Sequence, residues 1–406
     1  MRLRTLALGA LLSANAYVDA SAQTPKVPAV TPERKLDFGG RVGVVYDDNF
    51  ARGSAALATA RGIEPEEVVV TPSATASIVQ PLGQQVLFLN GSLGYDFHRR
   101  NKQLDRQNYD IAGGGMAVFG MCQQTAFGNH RARQSDLVDL DSVSTKNLMR
   151  STGVGIGVTC GRPSGVGLTG LVQRQETKNS APLTKTSDST SETLMLGVQY
   201  ANPTLGTLGF VYNYSGNEFP NRIIPGRPVG DGFITQTFGV NVQRKFGSRL
   251  EVAAGAGQTT VKREFSPPGV RQKFKSTSYS GEITYRVGGR ITLLASADRA
   301  IVPSSRPGKL FDISTNGEVE GRYKIGSRYE ASVGHSIGDL KSNADTAVAA
   351  LVVTKSRVNA TYASLSYKQS ERLSLSLDVR RQERKTNLQD FNYNGTRVGL
   401  TAEVSF

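Results

Sequence analysis

The chain offers little with which to do covalent chemistry. Its 406 residues contain two cysteines, Cys122 and Cys160, and three histidines, His98, His130 and His335. The histidines are too far apart in sequence to suggest a shared metal. A catalytic thiol pair needs Cys-x-x-Cys spacing, and these two cysteines are separated by far more, leaving either a structural disulfide or two separate thiols. No paired carboxylates and no Ser-His-Asp order stand out. The chain therefore reads as a non-enzyme, with no catalytic residue, cofactor or metal ligand to assign. What remains is ionic chemistry. Lys and Arg number 48 against 34 Asp and Glu, a formal charge of +14. Such an excess suits phosphates of outer-membrane lipids and lipopolysaccharide, or acidic polymers. Nucleic acid is excluded as a partner, because the basic residues are spread along the chain with no recognition helix or zinc-ligand pattern.

The elements that must carry these charges announce themselves at the C-terminus. Over 393–406, Val398, Leu400, Ala402, Val404 and Phe406 alternate with Arg397, Gly399, Thr401, Glu403 and Ser405. A strict period of two with one apolar and one polar face is a half-buried β-strand. An aromatic last residue in that register resembles the strand by which outer-membrane barrels are delivered to their assembly machinery. The same alternation recurs almost throughout. Leu373, Leu375, Leu377 and Val379 oppose Ser374, Ser376, Asp378 and Arg380, and Phe238, Val240 and Val242 oppose Gly239, Asn241 and Gln243. Leu294 interrupts the polar face of its strand.

Short turns punctuate these strands near 81–83, 120–121, 160–165, 202–206, 245–249, 286–290, 324–328 and 368–372. Four are near copies: KFGSR, RVGGR, KIGSR and KQSER. Longer polar stretches, at 98–107, 134–145, 173–190, 215–232, 259–275, 300–311, 337–355 and 382–393, lie between them. Tight turns at one end and long loops at the other predict an all-β fold, a single antiparallel transmembrane barrel with periplasmic turns and extracellular loops. Eight turns joining strand pairs, plus one strand at each end, give 18 strands with both termini periplasmic. A count of 16 follows instead if 123–134, which carries His130, Arg131 and Arg133, is an irregular loop. The first loop, after Asp47, has an Ala-rich middle expected to form a short helix.

No apolar run reaches the roughly 18 residues of a membrane-spanning helix. Arg2 and Arg4, an apolar run over 6–12 and Ala20-Ser21-Ala22 make residues 1–22 a signal peptide, cut before Gln23. Residues 23–35 read as a Pro-rich periplasmic lead-in and 36–406 as the barrel.

This topology brings Cys122 and Cys160 to the periplasmic rim of neighbouring strands, where an oxidising compartment favours their union. It also points Arg41, Asp96, Glu251, Glu282, Glu320, Glu330, Asp378, Arg397 and Glu403 into the lumen. Arg286, Arg322, Lys324, Lys368 and Arg380 are the basic lumen candidates, expected near the periplasmic turns as a basic mouth. Tyr95, Tyr200, Tyr285, Tyr323, Tyr329, Tyr367 and Phe246 fall near strand ends, as interfacial anchors do.

The segment GGRVGVVYDDNFAR at 39–52, with 68–111 after it, resembles outer-membrane barrels of the porin-2 type. Tyr46, Asp47, Asp48, Asn49, Arg52, Pro81, Leu82, Gly83, Tyr95 and Arg106 carry the likeness. Some members of that family are linked to exopolysaccharide production or export. The resemblance therefore implies passage or secretion of polysaccharide in the outer membrane of a Gram-negative bacterium, with an export partner. The alternatives are a general diffusion porin for small hydrophilic or anionic solutes, and a plugged structural barrel whose loops bind a surface polymer or protein.

Overall fold

The computed structural model describes residues 34–135, 146–223, 230–264, 272–304, 309–342 and 353–406; the expected signal peptide and most of the expected lead-in lie outside these. Eighteen antiparallel strands follow one another around a closed sheet. They are β1 (Lys35–Asp47), β2 (Glu67–Leu82), β3 (Gln85–His98), β4 (Arg106–Phe119), β5 (Cys122–Gln134) and β6 (Leu148–Cys160). Next come β7 (Gly165–Asn179), β8 (Ser189–Asn202), β9 (Gly206–Ile223), β10 (Gly230–Phe246), β11 (Leu250–Arg263) and β12 (Lys273–Val287). The circuit ends with β13 (Ile291–Pro303), β14 (Phe311–Ile325), β15 (Tyr329–Ser342), β16 (Lys355–Lys368), β17 (Leu373–Thr386) and β18 (Tyr393–Ser405). β1 pairs with both β2 and β18, so the sheet has no free edge. In hydrocarbon, closure is what lets every strand satisfy its backbone polar groups.

The segment at 123–134 is a strand, β5, pairing fully with β4 and β6, so the count is 18 and not 16. The strands overrun the loop boundaries expected from sequence: β9 reaches Ile223 and β17 reaches Thr386. Above the apolar belt the outward positions become polar, so the period of two loses its contrast there while the backbone ladder continues.

The belt itself faces out. Val42, Val44, Leu89, Leu93, Val154, Ile156, Phe210, Phe238, Val333 and Leu400 are all exposed on the isolated chain, where a soluble sandwich would bury them. The chain is thus an outer-membrane β-barrel, with lipid in the place of a dry core. Tyr329 and Tyr367, directly opposite each other near the periplasmic end, stack at 4.7 Å.

The repeated turns work by two devices. In KFGSR, RVGGR and KIGSR the middle residue is Gly247, Gly288 and Gly326, each at φ between 61° and 67°, a conformation that costs glycine nothing. KQSER has Ser370 instead, and its Oγ accepts from the backbone N–H of Arg372 (3.2 Å) and Leu373 (3.1 Å) to hold the turn. At the opposite end of the barrel the first loop contains the expected helix, α1 (Ala55–Arg61), capped by Ser54, whose Oγ accepts from Leu57 N at 3.2 Å.

Candidate functional site: the lumen and its mouth

Strand register decides which side chains face inward. From the β1–β18 pairing, Arg41 sits opposite Glu403 and Asp47 opposite Arg397, on the face away from the exposed Val42, Val44 and Leu400. Carrying that parity around the sheet puts Arg286, Arg322, Lys324, Lys368 and Arg380 on the inner face. Arg286, Lys324 and Lys368 lie at the periplasmic ends of their strands, Lys324 directly across from Glu330. Arg322 donates through Nε to Glu320. Arg380 is higher than its sequence context suggested: it lies midway along β17, opposite Arg397 on β18 and Tyr362 on β16. The five therefore do not form one ring at the periplasmic mouth. Three line that rim, and two belong to a row that climbs the wall.

That row is the most built feature of the lumen. Tyr362 extends sideways across β15 and its hydroxyl donates to Glu318 at 2.5 Å, with Glu320 at 3.0 Å, both on β14. The crossing is possible because the residue between them is Gly334, where a Cβ would come within 2.3 Å of the Tyr362 ring. The guanidinium of Arg380 lies 6.0 Å from the centre of that same ring. Beyond it come Arg397, its cross-strand partner, then Asp47. Asp47 in turn is held by Arg52, with Nη1 at 3.2 Å and Nη2 at 2.6 Å. Carboxylates, a phenol and arginines thus follow one another along one wall from β14 to β1, with Arg380 and Arg397 side by side at its middle. On the same wall Asn316 Nδ2 donates to Asp298 at 3.1 Å.

The facing wall is different in kind. Over β6–β11 the inward positions include Gly157, Thr169, Gly197, Gly209 and Asn241, and their small size leaves a recess of about 400 Å³. One side of the lumen is therefore ionic and the other nearly uncharged and scalloped. Such an arrangement places a field across the passage, which aligns polar solutes and discriminates by charge.

At the extracellular ends of β9, β10 and β11 lies an apolar cluster. Phe219, Phe233 and Val261, on the inner side of β9, β10 and β11, cluster with Leu310 and Phe311. Phe233 lies 5.7 Å and Phe274 5.8 Å from Phe311. Arg222 stacks 4.1 Å above Phe219. Lys309, buried beside them, donates from Nζ to the carbonyl of Val353. Across the mouth, the first loop is tied down by its own small core of Ala51, Ala58, Ile63 and Leu104.

Several residues that carried the family resemblance have structural work in that loop. Asp48 exchanges hydrogen bonds with Thr396, accepting at 2.6 Å through Oδ1 and donating from its backbone at 3.1 Å. Asn49 N donates to Asp47 Oδ1 at 3.0 Å, and Arg52 adopts φ 53° with its guanidinium 5.7 Å from the Tyr393 ring. Together they latch the first loop onto the start of β18. Below it, the fully buried Glu67 accepts from the backbone N–H groups of Val68, Arg99 and Arg100 through Oε1, at 2.8–3.0 Å. Its Oε2 accepts from the backbone (2.7 Å) and the side chain (2.8 Å) of Asn101.

Cys122 and Cys160 are direct cross-strand partners at the periplasmic rim and form a disulfide. Of the histidines, His130 contacts Tyr109 and Thr152 and His335 contacts Thr361, both on the outer face, while His98 is buried against Asp105. Among the described residues no three His, Cys, Asp or Glu side chains converge to hold a metal. The residues missed from sequence are Tyr362, Glu318 and Gly334. Only the pairing of three strands brings the phenol over the glycine to the carboxylates.

No family model and no curated protein matches this chain. Its likenesses are to solved barrels. OccK2 (OpdF) of Pseudomonas aeruginosa superposes with a TM-score of 0.51 at 13% identity, over 92% of this chain and 98% of that one. The FrpB iron transporter of Neisseria meningitidis gives 0.51 at 10% identity, over 86% of this chain and 62% of that one. At such identities the likeness is one of fold.

Proposed function

We propose that this barrel is a diffusion channel for small hydrophilic solutes, with a preference for anions. The observation that carries the reading is the row of Arg380 and Arg397 at mid-wall, opposite one another on the inner face and reinforced toward the periplasm by Arg322, Lys324, Lys368 and Arg286. The likeness in fold to a barrel named as a transporter agrees with transport as the general activity. Passage of polysaccharide rests on the resemblance of 39–52 and 68–111 alone.

How the residues would act follows from their placement. A small anion entering past the cluster meets Arg380 and Arg397, is handed toward Arg322 and Lys324, and leaves by the rim at Lys368 and Arg286. Glu318, Glu320 and Glu330 keep each basic group from holding the ion too tightly, since conduction needs binding weak enough to release. The test is reversal potential in planar bilayers under a salt gradient, for wild type and for the variant with Arg322, Lys324 and Arg380 changed to Gln. Anion preference at low salt is expected in wild type and is expected to weaken as salt rises, because the screening length falls to about 8 Å at physiological ionic strength. The variant should lose most of that preference. Equal selectivity in both would remove these residues from the mechanism. Absence of conductance in both would mean that the mouth is closed and the barrel is a structural or partner-gated one.

A further inference from the structure

The outer face carries a second charge pattern that solute passage does not use. Just extracellular of the apolar belt, β11 and β12 present Lys262 directly opposite Lys273, with Lys275 two residues on. On β15 and β16, Lys341 stands directly opposite Lys355. By parity all five point outward, and all are exposed. Arg381 follows the exposed Val379 on the outer face of β17. These six side chains have no ion-pair partner among the described residues. Their neighbours Arg357 and Lys385 are also directly opposed, but Arg357 is engaged by Asp339 at 2.7 Å and Lys385 by Glu383 at 2.9 Å.

Directly opposed residues on one face of a sheet have Cβ atoms roughly 4.5–5.5 Å apart, and like charges there repel. An external anion lying between the members of each opposition would relieve that repulsion. The position narrows the chemistry of that anion. The lysines sit one step above the belt, beside side chains such as Ile337 and Val379 that face lipid. Lys355 is also fixed in place, since Asn387 Oδ1 accepts from the backbone N–H of Thr354 (2.8 Å) and Lys355 (3.1 Å). No outward position of β1–β5 carries Lys or Arg, and where β6 and β7 oppose Arg150 to Lys178 the lysine is engaged by Glu176 at 2.8 Å. We infer that the outer face of β11–β17 is a docking site for the phosphorylated headgroup of an outer-leaflet glycolipid, its acyl chains against the belt and its phosphates between the opposed lysines. The occupant is a membrane lipid and not free phosphate, because a soluble anion has no use for an apolar belt beneath it.

The experiment uses the full-length folded protein in detergent micelles, with lipid binding titrated by native mass spectrometry. The probes are bisphosphorylated lipid A, the same lipid with both phosphates removed, and inorganic phosphate. Two variants are compared with wild type. One changes Lys262, Lys273, Lys341 and Lys355 to Gln, and the other removes the same number of charges at the periplasmic turns by changing Arg249, Arg290, Arg328 and Arg372 to Gln. All of these positions are exposed, and retention of heat-modifiable migration reports that each variant has folded. Since a cation near an anionic lipid surface contributes about fivefold in affinity, the lysine variant should bind the phosphorylated lipid on the order of a hundredfold more weakly. The turn variant should match wild type. Equal binding of phosphorylated and dephosphorylated lipid by wild type would overturn the proposal, as would equal losses in the two variants. Saturation by inorganic phosphate at the concentrations where lipid binds would assign the lysines to a soluble anion instead.

Discussion

Replacing Glu67 by Gln would set an amide –NH2 against N–H groups that now donate to a carboxylate oxygen. Five hydrogen bonds converge on this one fully buried side chain. A donor left facing a donor costs about 1–3 kcal/mol, with bonds to charged groups at the upper end. Glu67→Gln is therefore expected to speed amide exchange at residues 99–101 by about ten- to a hundredfold while leaving the barrel strands protected. Hydrogen exchange read by mass spectrometry checks it, and unchanged protection at 99–101 would show that the carboxylate is not what orders this loop. The Asp47–Arg52 pair above it is the complementary case. Its Asp belongs both to the lumen row and to the loop latch, so Arg52→Ala should disturb the first loop and the potential near Arg397 together.

At the scale of elements, the contact across β14, β15 and β16 is a single joint of three strands. Gly334→Ala would place a methyl group within the Tyr362 ring as it now lies. The ring must swing away, which breaks its bonds to Glu318 and Glu320, at an expected cost of about 1–3 kcal/mol. In a Tyr362→Ala background the same Gly334→Ala change should be neutral or mildly stabilising, since a strand interior disfavours glycine. Urea unfolding of the four members of this cycle measures the coupling; additive effects would show that the ring and the glycine are independent. The disulfide between β5 and β6 makes the opposite sort of prediction. Changing Cys122 and Cys160 together to Ser should lower stability by up to about 3–4 kcal/mol, the chain-entropy value for a loop of this size. Strand pairing should survive, because the whole β5–β6 register is already hydrogen-bonded. Tryptic mapping without reductant should find the two cysteines joined, and quantitative alkylation of both thiols would contradict it.

For the whole molecule, the closed sheet with its exposed apolar belt predicts the behaviour of a membrane barrel. The protein extracted in detergent should run as a compact band on gels until boiled and then shift, and it should partition with outer membranes. Recovery as a detergent-free monomer would be incompatible with so many exposed apolar side chains around its circumference. The two charge patterns have separable readouts at this scale. Inner-face arginines set ion selectivity, whereas outer-face lysines set lipid affinity, so the Arg322, Lys324 and Arg380 variant should bind lipid A as wild type does.

Much of this architecture was legible in the sequence because a barrel repeats two local rules. Alternation assigned Val398, Leu400, Ala402, Val404 and Phe406 to one face of β18, and glycine at Gly247, Gly288 and Gly326 marked the turns. Parity of turns and strands brought Cys122 and Cys160 to one rim and gave 18 strands with 16 as the competitor, and the full pairing of β5 with both neighbours decided between them. Loop boundaries were less legible, because above the lipid belt both faces of a strand are polar and its period fades. Register across several strands was not legible at all. Whether Arg380 meets a serine or Arg397, whether Lys341 meets a carboxylate or Lys355, and whether Tyr362 finds a glycine to cross are decided by pairings between residues 14 to 28 positions apart in the chain. A shift of two residues in one of the paired strands would preserve its hydrophobic pattern and dissolve the contact it makes. Sequence alone therefore determined the faces, and the tertiary structure decided which charges stand opposite one another, because side-chain alternation is set within a strand and electrostatics between strands.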